Sequence, residues 1–101
     1  MNQIDAIHYI TTREEFSASA LSGKYKDYTP SAGRLDREEY AKLTEVSADQ
    51  KFIYVVYSYD TPIAWHTDAQ GWYVVEQKFS VTTSKHSNYV RRAIAESLVS
   101  N

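Results

Sequence analysis

Three histidines, a scatter of serines and threonines, and tyrosines interleaved with lysines are the side chains of this 101-residue sequence that could do chemistry. The histidines stand at His8, His66 and His86, and no HxxxH or HExxH pair joins any two of them. The chain has no cysteine, so thiolate zinc sites and disulfide scaffolds are excluded. His66 and Asp68 sit two apart and could share one strand face, but a surface histidine beside a turn aspartate accounts for them without a metal. Neither metal nor cofactor is expected. Ser58, Ser80 and Ser84 are candidate nucleophiles, yet no Gly-x-Ser-x-Gly elbow exists and no spacing selects a Ser-His-Asp triad. The carboxylate pairs Glu14-Glu15 and Glu38-Glu39 fall at expected helix starts, where the helix dipole explains them. No catalytic residue is assigned, and the chain is not expected to be an enzyme.

Binding chemistry has better candidates. Thr82-Thr83-Ser84-Lys85-His86 lies where a strand gives way to a helix, and free amides, hydroxyls and a lysine there can hold an anion. No glycine-rich loop accompanies it, and simple capping by Thr83 or Ser84 explains the same residues, with His86 turned partly toward the apolar stripe. Lys24-Tyr25-Lys26-Asp27-Tyr28 sets cations beside stacking rings, and Lys78, Lys85, Arg91 and Arg92 can form a patch around the last helix. Such mixtures suit single-stranded nucleic acid and equally suit a protein interface, where Tyr and Arg are favoured anchors.

The elements that must position these groups follow from periodicity and punctuation. Residues 1–11 are weakly patterned, with Ile4, Ile7 and Tyr9 fitting a short strand or an irregular lead-in. Thr12-Arg13-Glu14-Glu15 has the form of a capping box and predicts a helix over about 13–21, with Phe16, Ala20 and Leu21 on one side. Residues 22–34 carry Gly23, Pro30 and Gly33 and predict a long loop. Asp36 as cap, Glu39 at the third helical position and a Leu35–Tyr40 staple predict a helix over about 37–45, with Tyr40, Leu43 and Val46 facing the core. Phe52 to Tyr59 is β-branched and aromatic on both faces, which suits a central strand covered on both sides. Asp60-Thr61 predicts a turn, Pro62 to His66 a second strand, Asp68 to Gly71 another turn, and Trp72 to Val75 a third strand that continues or restarts through Phe79-Ser80-Val81. Short turns between these strands imply antiparallel pairing. From about Ser84 to Leu98, Val90, Ala93, Ile94 and Leu98 form one stripe of a closing helix, with Arg92 opposite and Arg91 at its flank. The fold class expected is α+β: a three- to four-stranded antiparallel sheet packed by a C-terminal helix, with two short N-terminal helices, in a single domain over residues 1–101.

Composition bounds the function. A chain of this length buries roughly 60–70% of its unfolded surface, enough for one modest core and not for a separate cofactor domain. No run of 18 apolar residues and no basic leader followed by an apolar stretch occurs, so no membrane span or signal peptide is expected and a cytoplasmic setting fits. The net charge is −2, with 6 Lys/Arg against 9 Asp/Glu in residues 1–50 and 5 against 4 in residues 51–101. A protein dominated by phosphate binding would be basic overall, so any nucleic-acid contact must be local. Tyrosine, at nine residues, stands out and is suited both to half-buried sheet faces and to interfaces.

Tyr57-Ser58-Tyr59-Asp60-Thr61-Pro62-Ile63-Ala64-Trp65, then Gly71-Trp72, then Phe79-Ser80-Val81-Thr82-Thr83-Ser84-Lys85-His86 resembles a family of small uncharacterised proteins. Bacteriophages and their mainly actinobacterial hosts carry that family. Its pattern is Tyr-Ser-Tyr-x-Thr-Pro-Ile-Ala, a later Trp, and a closing Ser-x-Thr-Thr-Ser-Lys/Arg-His. The resemblance covers the last half of the chain and implies no activity, because the family has no described function. It implies a phage or mobile-element accessory factor that binds a host or defence protein, inside the host cytoplasm. The alternative is a nucleic-acid-binding module using the basic-aromatic segment and the last helix, and a third reading places a small hydrolase or ligand site at His86 and Thr83. The binding candidates are Lys24, Tyr25, Lys26, Tyr28, Tyr57, Tyr59, Thr82, Thr83, Lys85, His86, Arg91 and Arg92; the oligomeric state stays open.

Overall fold

A computed structural model describes residues 3–18, 20–49 and 53–99. The elements run α1 (Gln3–Thr12), β1 (Phe16–Ala18), β2 (Leu21–Lys26), α2 (Arg37–Asp49), β3 (Ile53–Ser58), β4 (Thr61–Thr67), β5 (Gly71–Val74) and α3 (Val81–Val99). The five strands form one antiparallel sheet in the order β1-β2-β3-β4-β5, with α2 inserted between the neighbours β2 and β3. The α+β class, the antiparallel sheet and the C-terminal helix agree with expectation. Among the described residues the sheet has five strands, more than the three or four expected, and there are three helices.

Alternation along β3 explains the two-layer cover. Tyr54 and Val56 face α1 and α3, where they join Ala6, Ile7, Ile10, Phe16, Leu21, Ala64, Val90 and Ala93 in one cluster. Ile53 and Val55 face α2, where they join Leu35, Leu43, Val46, Trp65 and Val75 in the other. A strand buried on both faces needs the continuous β-branched and aromatic run that the sequence shows. Phe52 and the side chain of Leu98 lie outside the described residues.

The N-terminal third differs most from expectation. Residues 3–12 are helical because Ala6, Ile7 and Ile10 fall on one helix face and pack under the sheet. The anticipated helix over 13–21 is instead the end of α1 and a hairpin. The Glu14 amide donates to the Tyr9 carbonyl (2.9 Å) and the Arg13 amide to the Ile10 carbonyl (3.1 Å), while Arg13 takes a left-handed φ of 55°. This is a Schellman ending, so Thr12 closes a helix where a capping box would open one. Phe16 and Leu21 do share a face, but as members of the paired strands β1 and β2.

Residues 21–26 of the anticipated loop form β2, paired with β3 along its whole length. Gly23 is compatible with this strand because a Cβ there would collide with the Tyr54 hydroxyl and the Phe16 ring. Asp36 caps α2 as expected, its carboxylate accepting from the Glu39 amide (2.9 Å), and the helix runs four residues further than anticipated, to Asp49. β5 stops at Val74, the Val75 amide still donates to the Ile63 carbonyl (2.9 Å), and residues 76–80 cross to α3 outside the sheet. α3 starts at Val81, three residues before the expected Ser84. Its cap is Ser80, whose hydroxyl accepts from the Thr83 amide (3.3 Å) and whose carbonyl accepts from the Ser84 amide (2.9 Å). Among the described residues no helix is long and apolar enough to cross a membrane.

Candidate functional site

The site grows from the β3–β4 turn. Tyr59 and Asp60 make this turn, and Thr61 already belongs to β4 rather than to the turn. Tyr59 has a φ of 58°, a left-handed conformation unusual for an aromatic residue. Its amide donates to the Ala20 carbonyl (2.6 Å), which ties the turn to the β1–β2 connection. The ring is left 63% exposed. Gly33, also left-handed at φ 57°, lets the preceding loop lie against the other side of the turn, since a Cβ would come within 2.7 Å of the Asp60 carbonyl and of Thr61. The Arg34 amide then donates to the Thr61 hydroxyl (2.9 Å).

Gln77 fastens the far wall. Its side-chain carbonyl accepts from the Asp36 amide (2.8 Å), and its side-chain amide donates to the Arg34 carbonyl (2.9 Å). Between the turn, this strap and the start of α3 opens a cleft of about 830 Å³. Arg34, Asp60, Lys78, Ser80 and Thr82 line it, and Ser58 and Thr83 form part of its floor.

Beneath that floor lies a buried polar network. Ser58 Oγ is 2.7 Å from His86 Nδ1 and 3.1 Å from Thr83 Oγ1, and Ser80 Oγ is 3.2 Å from Thr83 Oγ1. Ser58 has one proton, so it donates to one of its two neighbours and accepts from the other. Burial holds the His86 imidazole below its ordinary pKa, and the adjacent Lys85 charge adds to this. The ring is therefore neutral at pH 7, and one nitrogen can accept while the other carries the proton. A serine beside a histidine is half of a nucleophile–base pair. Yet Ser58 is only 1% exposed, and among the described residues no carboxylate hydrogen-bonds to the other ring nitrogen. What the arrangement does visibly is join the end of β3 to the first turns of α3. The segments 57–65 and 79–86 thus meet at one place.

A second groove, about 350 Å³, opens on the opposite side of the turn. Lys24, Lys26, Tyr28 and Tyr57 line it, and it shares Tyr59 and Asp60 with the first cleft. Strand alternation puts Lys24 and Lys26 on one face, paired with Val55 and Ile53. The Lys26 ammonium lies 5.3 Å from the Tyr28 ring centre and 5.9 Å from that of Tyr57. Burial, reinforced by Tyr28, pushes the Tyr57 hydroxyl up to about 12.

The structure therefore brings Lys24, Lys26, Tyr28, Tyr57 and Tyr59 together on one side of the turn, with Thr82 and Thr83 on the other. Lys24 to Lys26 are strand residues and not loop, as the sequence suggested. Tyr25 points to the opposite face, where its hydroxyl donates to the Arg13 carbonyl (2.7 Å) and its ring meets Tyr54 edge-on. His86 is in the network under the floor. Lys85, Arg91 and Arg92 lie exposed along α3 and line neither opening, and Arg92 pairs with Glu96 (3.4 Å). Arg34 and Gln77 were not singled out by the sequence, and Asp60 was read only as a turn residue; the Gly33 turn signal beside Arg34 is the one local hint to the other two. His66 packs against Trp72 with ring centres 5.2 Å apart, and burial, then Arg13, lower its pKa against the opposing pull of Asp68. Among the described residues no group of three or more His, Asp or Glu could hold a metal ion.

The chain belongs to a family of unknown function, DUF8033, which matches residues 8–97. No curated protein and no solved structure matches it.

Proposed function

We propose, with that membership as the premise, that the protein works without catalysis, as a binding module that presents the Tyr59 turn and its two flanking openings to a macromolecular partner. The partner in this reading is a protein of the cell in which a phage or mobile element resides, including its defence proteins, and the setting is that cell's cytoplasm. The observation that carries the proposal is Tyr59 itself. A large aromatic ring stands 63% exposed on a backbone held in a left-handed conformation by hydrogen bonding and by Gly33 behind it. An exposed aromatic carried on a fixed backbone between two concavities has the form of an interface anchor, since the turn that presents it is already ordered before docking. The burial of Ser58, which keeps its hydroxyl from a substrate, supports the non-catalytic part of the reading.

Nucleic acid is the second reading, favoured by the meeting of Lys24, Lys26, Tyr28 and Tyr57 in one groove. Affinity capture from host cells with the wild-type chain and Tyr59→Asn distinguishes the outcomes, because Asn tolerates the left-handed backbone. A defined protein recovered by the wild type and lost by the variant is the expected result. Background alone in both captures would overturn the proposal, and nuclease-sensitive recovery would move it to the second reading.

A further inference from the structure

We infer that the occupant of this surface is an acidic, extended peptide segment with carboxylates at alternate positions, laid along the Lys24–Lys26 groove and past the Tyr59 turn. The inference rests on the binding-module reading above and adds the chemistry of the partner. Four cations, Lys24, Lys26, Arg34 and Lys78, line the two adjoining openings against one carboxylate, Asp60. This concentration of positive charge belongs to a chain whose net charge is −2. None of the four takes part in the ion pairs among the described residues, which join His8 to Glu14, Lys42 to Glu39 and Arg92 to Glu96. A patch with four cations to one carboxylate, and none of the four in those ion pairs, is complementary to an anion and steers its approach.

Spacing favours a peptide. Lys24 and Lys26 are two residues apart on one strand face, so their stems are separated by roughly 6.5–7 Å. An extended segment repeats its own side chains on one face at that same interval. The aromatic rings argue in the same direction. The Lys26 ammonium lies 5.3 and 5.9 Å from the ring centres of Tyr28 and Tyr57, so the groove presents a cation flanked by rings rather than rings alone. Lys26 also donates to the Tyr28 hydroxyl (3.3 Å), so the rings orient an ammonium group toward the groove. Asp60, shared by both openings, supplies an acceptor for a backbone amide or a cationic side chain of the segment where it passes the turn.

The test is fluorescence anisotropy on the full chain with three probes. The first is a labelled ten-residue peptide with glutamate at alternate positions; the second has the same composition with its glutamates contiguous; the third is a thymidine ten-mer. Inorganic phosphate serves as competitor. The alternating peptide should bind most tightly and weaken as salt rises. Lys24→Glu combined with Lys26→Glu should reduce its affinity about tenfold or more, as expected when two attractive contacts become repulsive. Arg91→Glu, outside both openings, should leave it unchanged, and circular dichroism should show all variants folded. Absence of peptide binding at low salt would overturn the inference, as would tighter binding of the thymidine ten-mer, equal binding of both peptides, or displacement by phosphate at concentrations matching the peptide. If Tyr59→Asn still loses a captured protein while the peptide fails to bind, the acidic occupant is overturned and the binding surface stands.

Discussion

The two sides of the Tyr59 turn are built from opposite solutions to the placement of polar groups. On one side Ser58, Thr83 and His86 are buried and satisfy one another, with Ser58 2.7 Å from His86. On the other, Lys24 and Lys26 stand over an open groove and take part in none of the ion pairs among the described residues. A buried polar group must be matched inside the protein, because water cannot reach it. A half-buried cation that water still reaches has no such requirement and stays available. The first side is consequently a device for setting the geometry of β3 against α3, and the second is a surface with binding capacity to spare. Substitutions on the two sides should therefore separate stability from binding.

The largest effect is expected for His86→Ala. It leaves a void between β3 and α3 and removes one of the two partners of Ser58, so unfolding free energy measured in urea should fall by about 2–4 kcal/mol. Lys24→Glu with Lys26→Glu should change the same quantity by no more than ~0.5 kcal/mol, since both side chains sit outside the cores. Equal losses on the two sides would erase the distinction. Next in size is Gly33→Ala. The added methyl meets the Asp60 carbonyl and Thr61 at 2.7 Å and suits φ 57° poorly, so a loss of about 1–3 kcal/mol is expected together with altered binding.

Acidification should act through the buried side. Burial and then the Lys85 charge lower the His86 pKa below its ordinary 6.5, and burial and then Arg13 lower that of His66. As pH falls through 6.5, the unfolded chain takes up protons that the folded chain still resists. These two groups therefore contribute most favourably above that pH, and their contribution is lost as the folded values are approached. Calorimetry should show a lower Tm at pH 5.5 than at pH 7.5, with a smaller difference in His86→Asn. An identical difference in wild type and variant would remove His86 from this account. Tyr59→Gly should also have only a small effect on stability. Relief of the left-handed strain opposes the added chain entropy, so urea unfolding should shift by less than about 1 kcal/mol while partner capture is lost.

Legibility in the sequence followed the range of the interactions. β3 to β5 and the stripe of α3 could be read because each residue's environment repeats at a local period. Asp36 and Glu39 announced α2 through a side chain and an amide three residues apart. The same local logic misled at Thr12, where a threonine followed by Glu15 matches a helix start, but tertiary packing of Ile7 and Ile10 had already placed a helix before it. Nothing in the type of Arg13 favours the left-handed φ that ends α1. Gly23 read as loop punctuation because the ring and hydroxyl that exclude a side chain come from Phe16 and Tyr54, outside its neighbourhood. At the site, the helix start near Thr82–Ser84 was visible, and the shift of its cap to Ser80 was a matter of one turn. The Ser58–His86 contact joins residues 28 apart and exists only once α3 crosses the sheet. The groove was half visible: alternation of Lys24 and Lys26 was in the sequence, but the strand that gives it meaning was read as loop.

The most direct measurement is an NMR titration of the isotopically labelled chain with the alternating glutamate peptide. The account predicts amide shift changes concentrated at Lys24, Lys26, Tyr59 and Asp60, with the resonances of Ser58, Thr83 and His86 moving little. Changes centred on the Ser58–His86 network, or on Arg91 and Arg92 of α3, or no changes at low salt, would contradict it.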